Sequence, residues 1–301
     1  MCPSKGICRE FLSNAEPIRK RNRIMRHRCM ELDRMLGESG FTPCILKGQS
    51  LSRYYGELAD FRSSGDIDVW VDAPIDRIAD FVKDRDVKYR GTYVHLEADL
   101  FEDVHVEIHP QPAILRCPWL NRRLQRWIGT FEIDKFDRSE GFAIAPVEFD
   151  AVYLLTHMLH HLLFEGVGLR HLMDYAFFLK SADMRARSVQ AMETIDSLHM
   201  TRFTKGIMWI MREVFGLSDE LLLTAPDSRV GRMVLGEILN GGDFGKYDSR
   251  NRLGKSDNRV CRAWGGIVRN ARFLNLAPEM VVCDPFWRAW HYVWRKEQGF
   301  L

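Results

Sequence analysis

The stretch that most constrains the fold is a strand-like segment with two aspartates, residues 65–71, which reads GDIDVWV. Its apolar side chains would share one face: Ile67, Val69 and Val71. Asp66 and Asp68 would share the other, because a period of two predicts a β-strand with one face in the core. Two carboxylates on one strand face lie about 7 Å apart and repel each other. A divalent cation such as Mg²⁺ relieves that repulsion; a solvated sheet edge is the alternative.

A glycine turn precedes this strand. The run Phe41–Leu46 predicts a strand that ends at Lys47, and Gly48 allows the backbone to turn tightly and approach a ligand. A short helix is expected to begin near Ser50 and to end near Gly56. A cationic side chain in this stretch, Lys47 or Arg62, can either bind a phosphate or lie on the surface.

This combination resembles a known signature. A glycine, a helix-sized gap and an Asp-hydrophobic-Asp strand resemble the DNA polymerase β-like nucleotidyltransferase superfamily. The longer pattern LKG…Y…R…GDIDVWV is similar to the bacterial family called uncharacterised nucleotidyltransferase, and the chain is identified as a member. The resemblance implies three carboxylates that bind two Mg²⁺ ions, with Mn²⁺ as an alternative.

Two of those carboxylates match Asp66 and Asp68, and the third is expected on a nearby strand. We assign it to Glu107, because residues 104–109 alternate cleanly and place Glu107 and His109 on one face. Two other acidic residues outside a clean alternating run are less favoured: Asp99 and Asp103.

The same resemblance implies the activity. It is transfer of a nucleoside monophosphate from an NTP, ATP first, to an unidentified hydroxyl or phosphate acceptor, with release of pyrophosphate. The residues expected to bind nucleotide are Lys47, Gly48, Ser50, Arg62 and His109. The sequence has Gly-Gln-Ser where the superfamily has Gly-Ser or Gly-Gly, which leaves the role of Ser50 open. The alternatives are a phosphocholine-transferase-like enzyme with the same metal chemistry and a non-catalytic nucleotide-binding or antitoxin-like partner.

The order of patterns predicts an α+β protein: a small mixed-sheet, polymerase β-like domain over 1–145 and an all-helical domain over 146–301. A cleft between them is expected to hold the NTP and the acceptor. Residues 1–16 are expected to be loosely ordered, and a helix is expected from about Glu16. Spacings of four, three and four residues predict a core face for this helix, formed by Met25, Cys29, Leu32 and Leu36. Helix is also predicted over 74–84, and strand over 88–98, 103–109 and, less clearly, 127–133.

Composition narrows the class of protein. The net charge is +2 and the pI about 8.2, too weak a basic excess to favour long nucleic acid as a partner. The 7 cysteines are odd in number and form no C-x-x-C, so neither a disulfide framework nor a cysteine zinc site is expected. Reduced thiols, no signal-peptide pattern and no long apolar run predict a cytoplasmic protein without a membrane span.

Two further motifs are interpreted conservatively. His157 and His161 lie one helical turn apart with His160 beside them, a spacing that can bind a metal, but the sequence shows no clear third ligand, so zinc is not favoured. Residues 241–258 are rich in glycine and polar residues and predict an exposed loop. Their start, GGDFGK, lacks the Ser or Thr of a phosphate-binding loop.

Overall fold

The computed structural model describes residues 5–181, 187–241 and 258–300. The protein has an α+β fold with two compact units. The first unit comprises 1–112, 132–146 and 298–301, and the second comprises 113–131 and 147–297. The boundary between two domains that the sequence places between residues 145 and 146 remains a prediction.

The first unit begins with a long helix, α1 (Lys5–Glu38). The expectation of loose order was wrong for residues 5–16, because α1 continues through Pro17 to Lys5; residues 1–4 lie outside the described residues. The predicted core face of this helix is confirmed, with four side chains almost fully buried: Met25, Cys29, Leu32 and Leu36. Gly40 then adopts a positive φ of 78°, which turns the chain out of the helix.

A five-stranded mixed sheet follows, in the order β1-β2-β5-β4-β3. Its strands are β1 (Pro43–Leu46), β2 (Asp66–Val71), β3 (Tyr89–Gly91), β4 (Leu96–Ala98) and β5 (His105–His109). β2 and β5 pair in parallel, and the other neighbours pair antiparallel. At the β1 edge the Ile45 amide donates to the Ala143 carbonyl, so the segment after residue 132 covers part of that edge.

Short helices connect the first strands. α2 (Gly48–Leu51) leads into a 3-10 segment, Ser52–Phe61, with a kink at Gly56. α3 (Ile75–Lys83) returns over the sheet after β2. The strand predicted at 66–71 and the helix predicted at 74–84 are thereby confirmed.

The core of this unit lies on one face of the sheet. Ile67, Val69 and Val71 point into a cluster that also contains the buried residues of α1 and α3. The alternating residues of β2 and β5 therefore point to the opposite face, which carries the acidic side chains.

Two strand predictions were wrong. Residues 88–98 form the hairpin β3–β4 and not one strand, because the turn after Gly91 folds the run back on itself. The segment predicted as a strand at 127–133 instead contains the end of α4 (Pro118–Ile128), a short connection and the start of a 3-10 turn, Ile133–Lys135. In α4 the buried side chains recur every four residues, at Leu120, Leu124 and Ile128, which is a helical period.

The second unit is helical. Its helices after α4 are α5 (Val147–Phe164), α6 (Leu169–Ser181), α7 (Ser188–Ser197), α8 (Thr201–Glu213), α9 (Ser228–Gly241), α10 (Arg259–Ala271) and α11 (Pro278–Glu297). Among the described residues, none of the helices has the length and apolar character needed to span a bilayer. The predicted loop at 241–258 lies almost wholly outside the described residues.

Candidate active site

The pairing of β2 with β5 places two acidic side chains next to each other. In this parallel register Asp68 pairs with Glu107, and Asp66 pairs with His105 two residues earlier. Neighbouring strands lie about 4.8 Å apart, so the Asp68 and Glu107 side chains leave the same sheet face as immediate neighbours. Asp68 is only 4% exposed, so its carboxylate is in an environment where an unpaired charge would be costly.

Lys47 supplies the first partner for that charge. β1 ends opposite Asp68, because Leu46 pairs with Asp68 in the antiparallel register. The ammonium of Lys47 then lies 2.8 Å from Asp68 Oδ1, as a largely buried ion pair. The sequence left Lys47 open between a surface role and a site role, and the structure places it in contact with a site carboxylate.

The chain turns at Lys47-Gly48 in a conformation that few residues adopt. Lys47 has φ 38° and Gly48 has φ 47°, both in the region that L side chains disfavour. For a non-glycine residue such as Lys47 this conformation costs of order 1–3 kcal/mol, so the surrounding contacts must hold it in place. The strained turn brings Gly48 next to the start of β2, where an added Cβ would meet the Asp66 carbonyl oxygen at 3.7 Å.

A buried polar network supports this turn. The Ser50 hydroxyl donates to the Lys47 carbonyl at 2.9 Å. The Arg62 guanidinium donates to Ser64 Oγ at 2.8 Å, and the Gln49 amide donates to the same oxygen at 3.3 Å. Arg62 and Ser50 are both buried. These contacts place both residues beside the turn, where they stabilise its shape.

His109 bridges the two neighbouring carboxylates. Its Nε2 lies 3.1 Å from Asp68 Oδ1 and 3.5 Å from Glu107 Oε2. The ring is 6% exposed, and its Nδ1 has no hydrogen-bond partner among the described residues. A second imidazole, His95, lies with its Nδ1 3.7 Å from the same Glu107 oxygen and its Nε2 3.3 Å from Glu97.

These contacts decide the electrostatics of the site. Burial raises the pKa of Asp68, but Lys47 and His109 outweigh burial and hold it well below its usual range. Burial lowers the pKa of His109 and of Lys47, but the neighbouring carboxylates outweigh burial and raise both. The pKa of Asp66 is raised, first by burial and then by the charge of Asp68. The site therefore holds an ionised Asp68 beside Lys47 and His109, with Asp66 as the carboxyl that protonates more readily.

The donor chemistry of this face fits a divalent cation. Asp66, Asp68 and Glu107 offer hard carboxylate oxygens from two adjacent strands, as Mg²⁺ prefers. The three donor atoms that converge within 4.8 Å here come from His95, Glu107 and His109, a group to which Asp66 and Asp68 do not belong. The less favoured acids make contacts elsewhere, Asp99 with His105 and Asp103 with Arg28.

The histidine cluster of the helical unit includes a residue that the sequence did not indicate. His171 of α6 lies beside His157 and His161 of α5, with one potential ligand atom of each ring within 4.8 Å of the others. The sequence could not show it, because the third histidine lies on another helix.

Comparison with protein families adds one finding. A family described as uncharacterised nucleotidyltransferase matches residues 1–216, more than two thirds of the chain. The chain belongs to this family. Comparisons with curated proteins and with solved structures find no match. The protein is therefore a transferase by family, of the nucleotidyltransferase kind, and the resemblance seen in the sequence is confirmed.

Sequence analysis missed two residues of this candidate site. His95 was missed because its position beside Glu107 depends on the β4–β5 pairing, in which Glu97 lies opposite Glu107. Ser64 was missed as the acceptor for Arg62 and Gln49, although the stretch RSSGD that contains it directly precedes the strand. The neighbouring sequence could therefore have indicated Ser64, but it contains nothing that indicates a role for His95.

Proposed function

We propose that the protein transfers a nucleoside monophosphate from an NTP to a hydroxyl or phosphate acceptor in a reaction that depends on Mg²⁺. The acceptor oxygen attacks the α-phosphorus, the bond to the bridging oxygen breaks, and pyrophosphate leaves. The observation that carries this proposal is the parallel pairing of Asp68 with Glu107, with Asp66 on the same face and the Lys47-Gly48 turn at its end. ATP is our first choice of donor.

Three carboxylates would hold the metal: Asp66, Asp68 and Glu107. Two Mg²⁺ ions, or Mn²⁺ in their place, would lower the pKa of the attacking hydroxyl and neutralise charge on the triphosphate. The two strands would hold the negatively charged carboxylates side by side, so that the site needs little rearrangement when metal and substrate bind. His109 orients two of these carboxylates through its contacts with Asp68 and Glu107.

The turn residues would bind the triphosphate. Lys47 carries a cation that already lies 2.8 Å from a site carboxylate, within reach of a phosphate bound there. Gly48 has no side chain to obstruct a phosphate near the turn. Arg62 and Ser50 would act by holding the turn in shape, with Arg62 as an additional positive charge near it.

We also propose a cytoplasmic protein with a small or protein acceptor. Five cysteines are free thiols, which fits a reducing compartment: Cys29, Cys44, Cys117, Cys261 and Cys283. The net charge of +2 makes long nucleic acid the least favoured acceptor.

The test is calorimetric binding of ATP, CTP, GTP and UTP, with and without Mg²⁺, to the wild type and to Asp66→Asn/Asp68→Asn. The matched control is Asp76→Asn/Asp80→Asn, which removes the same charge from exposed positions on α3 in the same unit. We expect Mg²⁺-dependent binding of at least one NTP, lost in the first variant and kept in the second.

Two results would contradict the proposal. One is a folded wild type that binds none of the four NTPs, which removes the donor. The other is Mg²⁺-dependent binding that survives in Asp66→Asn/Asp68→Asn, which places the metal site elsewhere. If an NTP binds as expected, candidate hydroxyl and phosphate compounds can be tested as acceptors by measuring the release of pyrophosphate from that NTP.

A further inference from the structure

Three histidines of the helical unit converge from two consecutive helices. His157 and His161 lie one turn apart on α5, and His171 lies in the first turn of α6. Their ring centroids are 4.3 Å apart for His157 and His161, 5.2 Å for His161 and His171, and 5.5 Å for His157 and His171. The short connection between the helices, with Gly166 at φ 129°, brings the third ring back to the first two.

The spacing of the donor atoms suits a transition metal. One ligand atom from each ring lies within 4.8 Å of the others. Nitrogens bound to tetrahedral Zn²⁺ at 2.0–2.1 Å are separated by about 3.4 Å, so the rings must close by roughly an ångström. All three side chains are partly exposed, which leaves room for that adjustment and a path for the ion.

A second shell of acceptors orients two of the rings. His161 Nδ1 lies 3.0 Å from Glu165 Oε2, and His171 Nδ1 lies 3.3 Å from the Gly168 carbonyl oxygen. Histidines that bind metals typically donate one ring N–H to a carboxylate or a backbone carbonyl and present the other nitrogen to the ion. The His171 contact therefore favours Nε2 as the metal-binding atom of that ring, and Glu165 places a carboxylate beside His161; both observations are independent of the convergence of the rings.

We propose that His157, His161 and His171 form a binding site for a divalent transition metal, Zn²⁺ first, with Glu165 as its second-shell carboxylate. Three imidazoles are donors that suit Zn²⁺, Cu²⁺ or Ni²⁺ and not Mg²⁺. Three protein ligands leave a fourth position for water or an anionic ligand, as in a catalytic and not a closed structural site. This site uses residues of the second unit alone, so it is independent of the proposed nucleotide chemistry.

The experiment uses the full-length protein, stripped with a chelator and then titrated with Zn²⁺ by calorimetry and with Co²⁺ by visible absorption. A background of Asp66→Asn, Asp68→Asn and His95→Asn removes donors of the proposed carboxylate site and of the other convergent group, so that the histidine site is measured alone. The test variants are His171→Asn and Glu165→Gln. The matched control is His199→Asn, which removes another histidine of the same unit in contact with a glutamate, 2.6 Å from Glu279.

We expect one Zn²⁺ per chain and the intense visible bands of tetrahedral Co²⁺. Loss of a second-shell partner costs 10–100-fold in metal affinity, so Glu165→Gln should weaken binding by about that factor. His171→Asn removes a ligand and should weaken it by more than about 100-fold and abolish the Co²⁺ bands. His199→Asn should bind as the parent does.

Either of two results overturns the assignment: a parent protein that takes up no Zn²⁺, or a His171→Asn variant that binds Zn²⁺ as tightly as the parent. Circular dichroism of each variant confirms the fold. Should His171→Asn fail to fold, His157→Asn replaces it, with the same expected loss and the same contradicting result.

Discussion

The ion pair between Lys47 and Asp68 gives a quantitative test of how the candidate site is built. The perturbation is Lys47→Met, which keeps most of the side-chain volume and removes the charge. The Lys47 side chain is 18% exposed and that of Asp68 is 5% exposed, so Asp68 would be left as a buried carboxylate. His109 would remain as a described partner of Asp68, with Nε2 3.1 Å from Oδ1.

The expected magnitude follows from the geometry. Two charges 2.8 Å apart attract by about 6 kcal/mol at an effective dielectric constant of 20. Desolvation of both groups offsets much of that attraction, yet removing one partner of a buried pair typically costs 3–5 kcal/mol because the other charge stays buried. Since His109 compensates part of the charge on Asp68, we expect a loss of about 2–3 kcal/mol.

Hydrogen exchange measured by mass spectrometry is the suitable assay. The protein has two compact units, so global unfolding would mix their stabilities. Exchange of the β2 amides, residues 66–71, reports the opening free energy of the unit that contains the pair. A double-mutant cycle of Lys47→Met with Asp68→Asn, in the presence of a chelator, isolates the coupling between the two side chains.

The control cycle is Lys83→Met with Asp80→Asn on α3. That pair has a similar contact, 3.3 Å, but its side chains are 55% and 71% exposed. Exposed pairs contribute at most about 0.5 kcal/mol at such positions. If the Lys47–Asp68 coupling is no larger than the Lys83–Asp80 coupling, the reasoning is refuted, and Lys47 does not stabilise the buried carboxylate.

Two further predictions concern a turn and a second buried pair. Gly48→Ala places a side chain at φ 47° and should destabilise the first unit by about 1–2 kcal/mol and weaken NTP binding. The control Gly37→Ala, in the last turn of α1 with open space around it, should have neither effect. Hydrogen exchange measures the stability, and calorimetry measures NTP binding. Arg116→Met leaves Asp284, which is 1% exposed, without one of its cationic partners, and should lower the stability of the second unit by about 2–3 kcal/mol. The control Arg212→Met, at a side chain that is 38% exposed, should change the stability by less than about 0.5 kcal/mol. Tryptophan fluorescence in urea measures both variants.

The sequence predicted the elements whose signal is local. The alternation in 66–71 indicated both the strand and the side from which Asp66 and Asp68 project, because successive side chains of a strand point to opposite faces. The buried stripe of α1 followed in the same way from its spacing of three and four residues. The LKG…GDIDVWV pattern then identified the family, which the match over residues 1–216 confirms.

Prediction from local sequence patterns failed where a short apolar segment was compatible with more than one secondary structure. The aromatic run near Trp127 suggested a strand, but the four-residue recurrence from Leu120 to Ile128 belongs to a helix. The run 88–98 suggested one strand, but a turn divides it into the hairpin β3–β4. In both cases the competing signal was short, and packing of the neighbouring elements decided the outcome.

The tertiary structure alone decided which side chains meet. Nothing local in the sequence specifies that Glu107 lies beside Asp68, that His95 reaches Glu107, or that His171 completes a set with His157 and His161. Periodicity fixes the face from which a side chain projects, and that face is a property of a few consecutive residues. Strand register and helix pairing depend on contacts between residues far apart in the chain, so they are determined only when the whole sheet and helix arrangement forms.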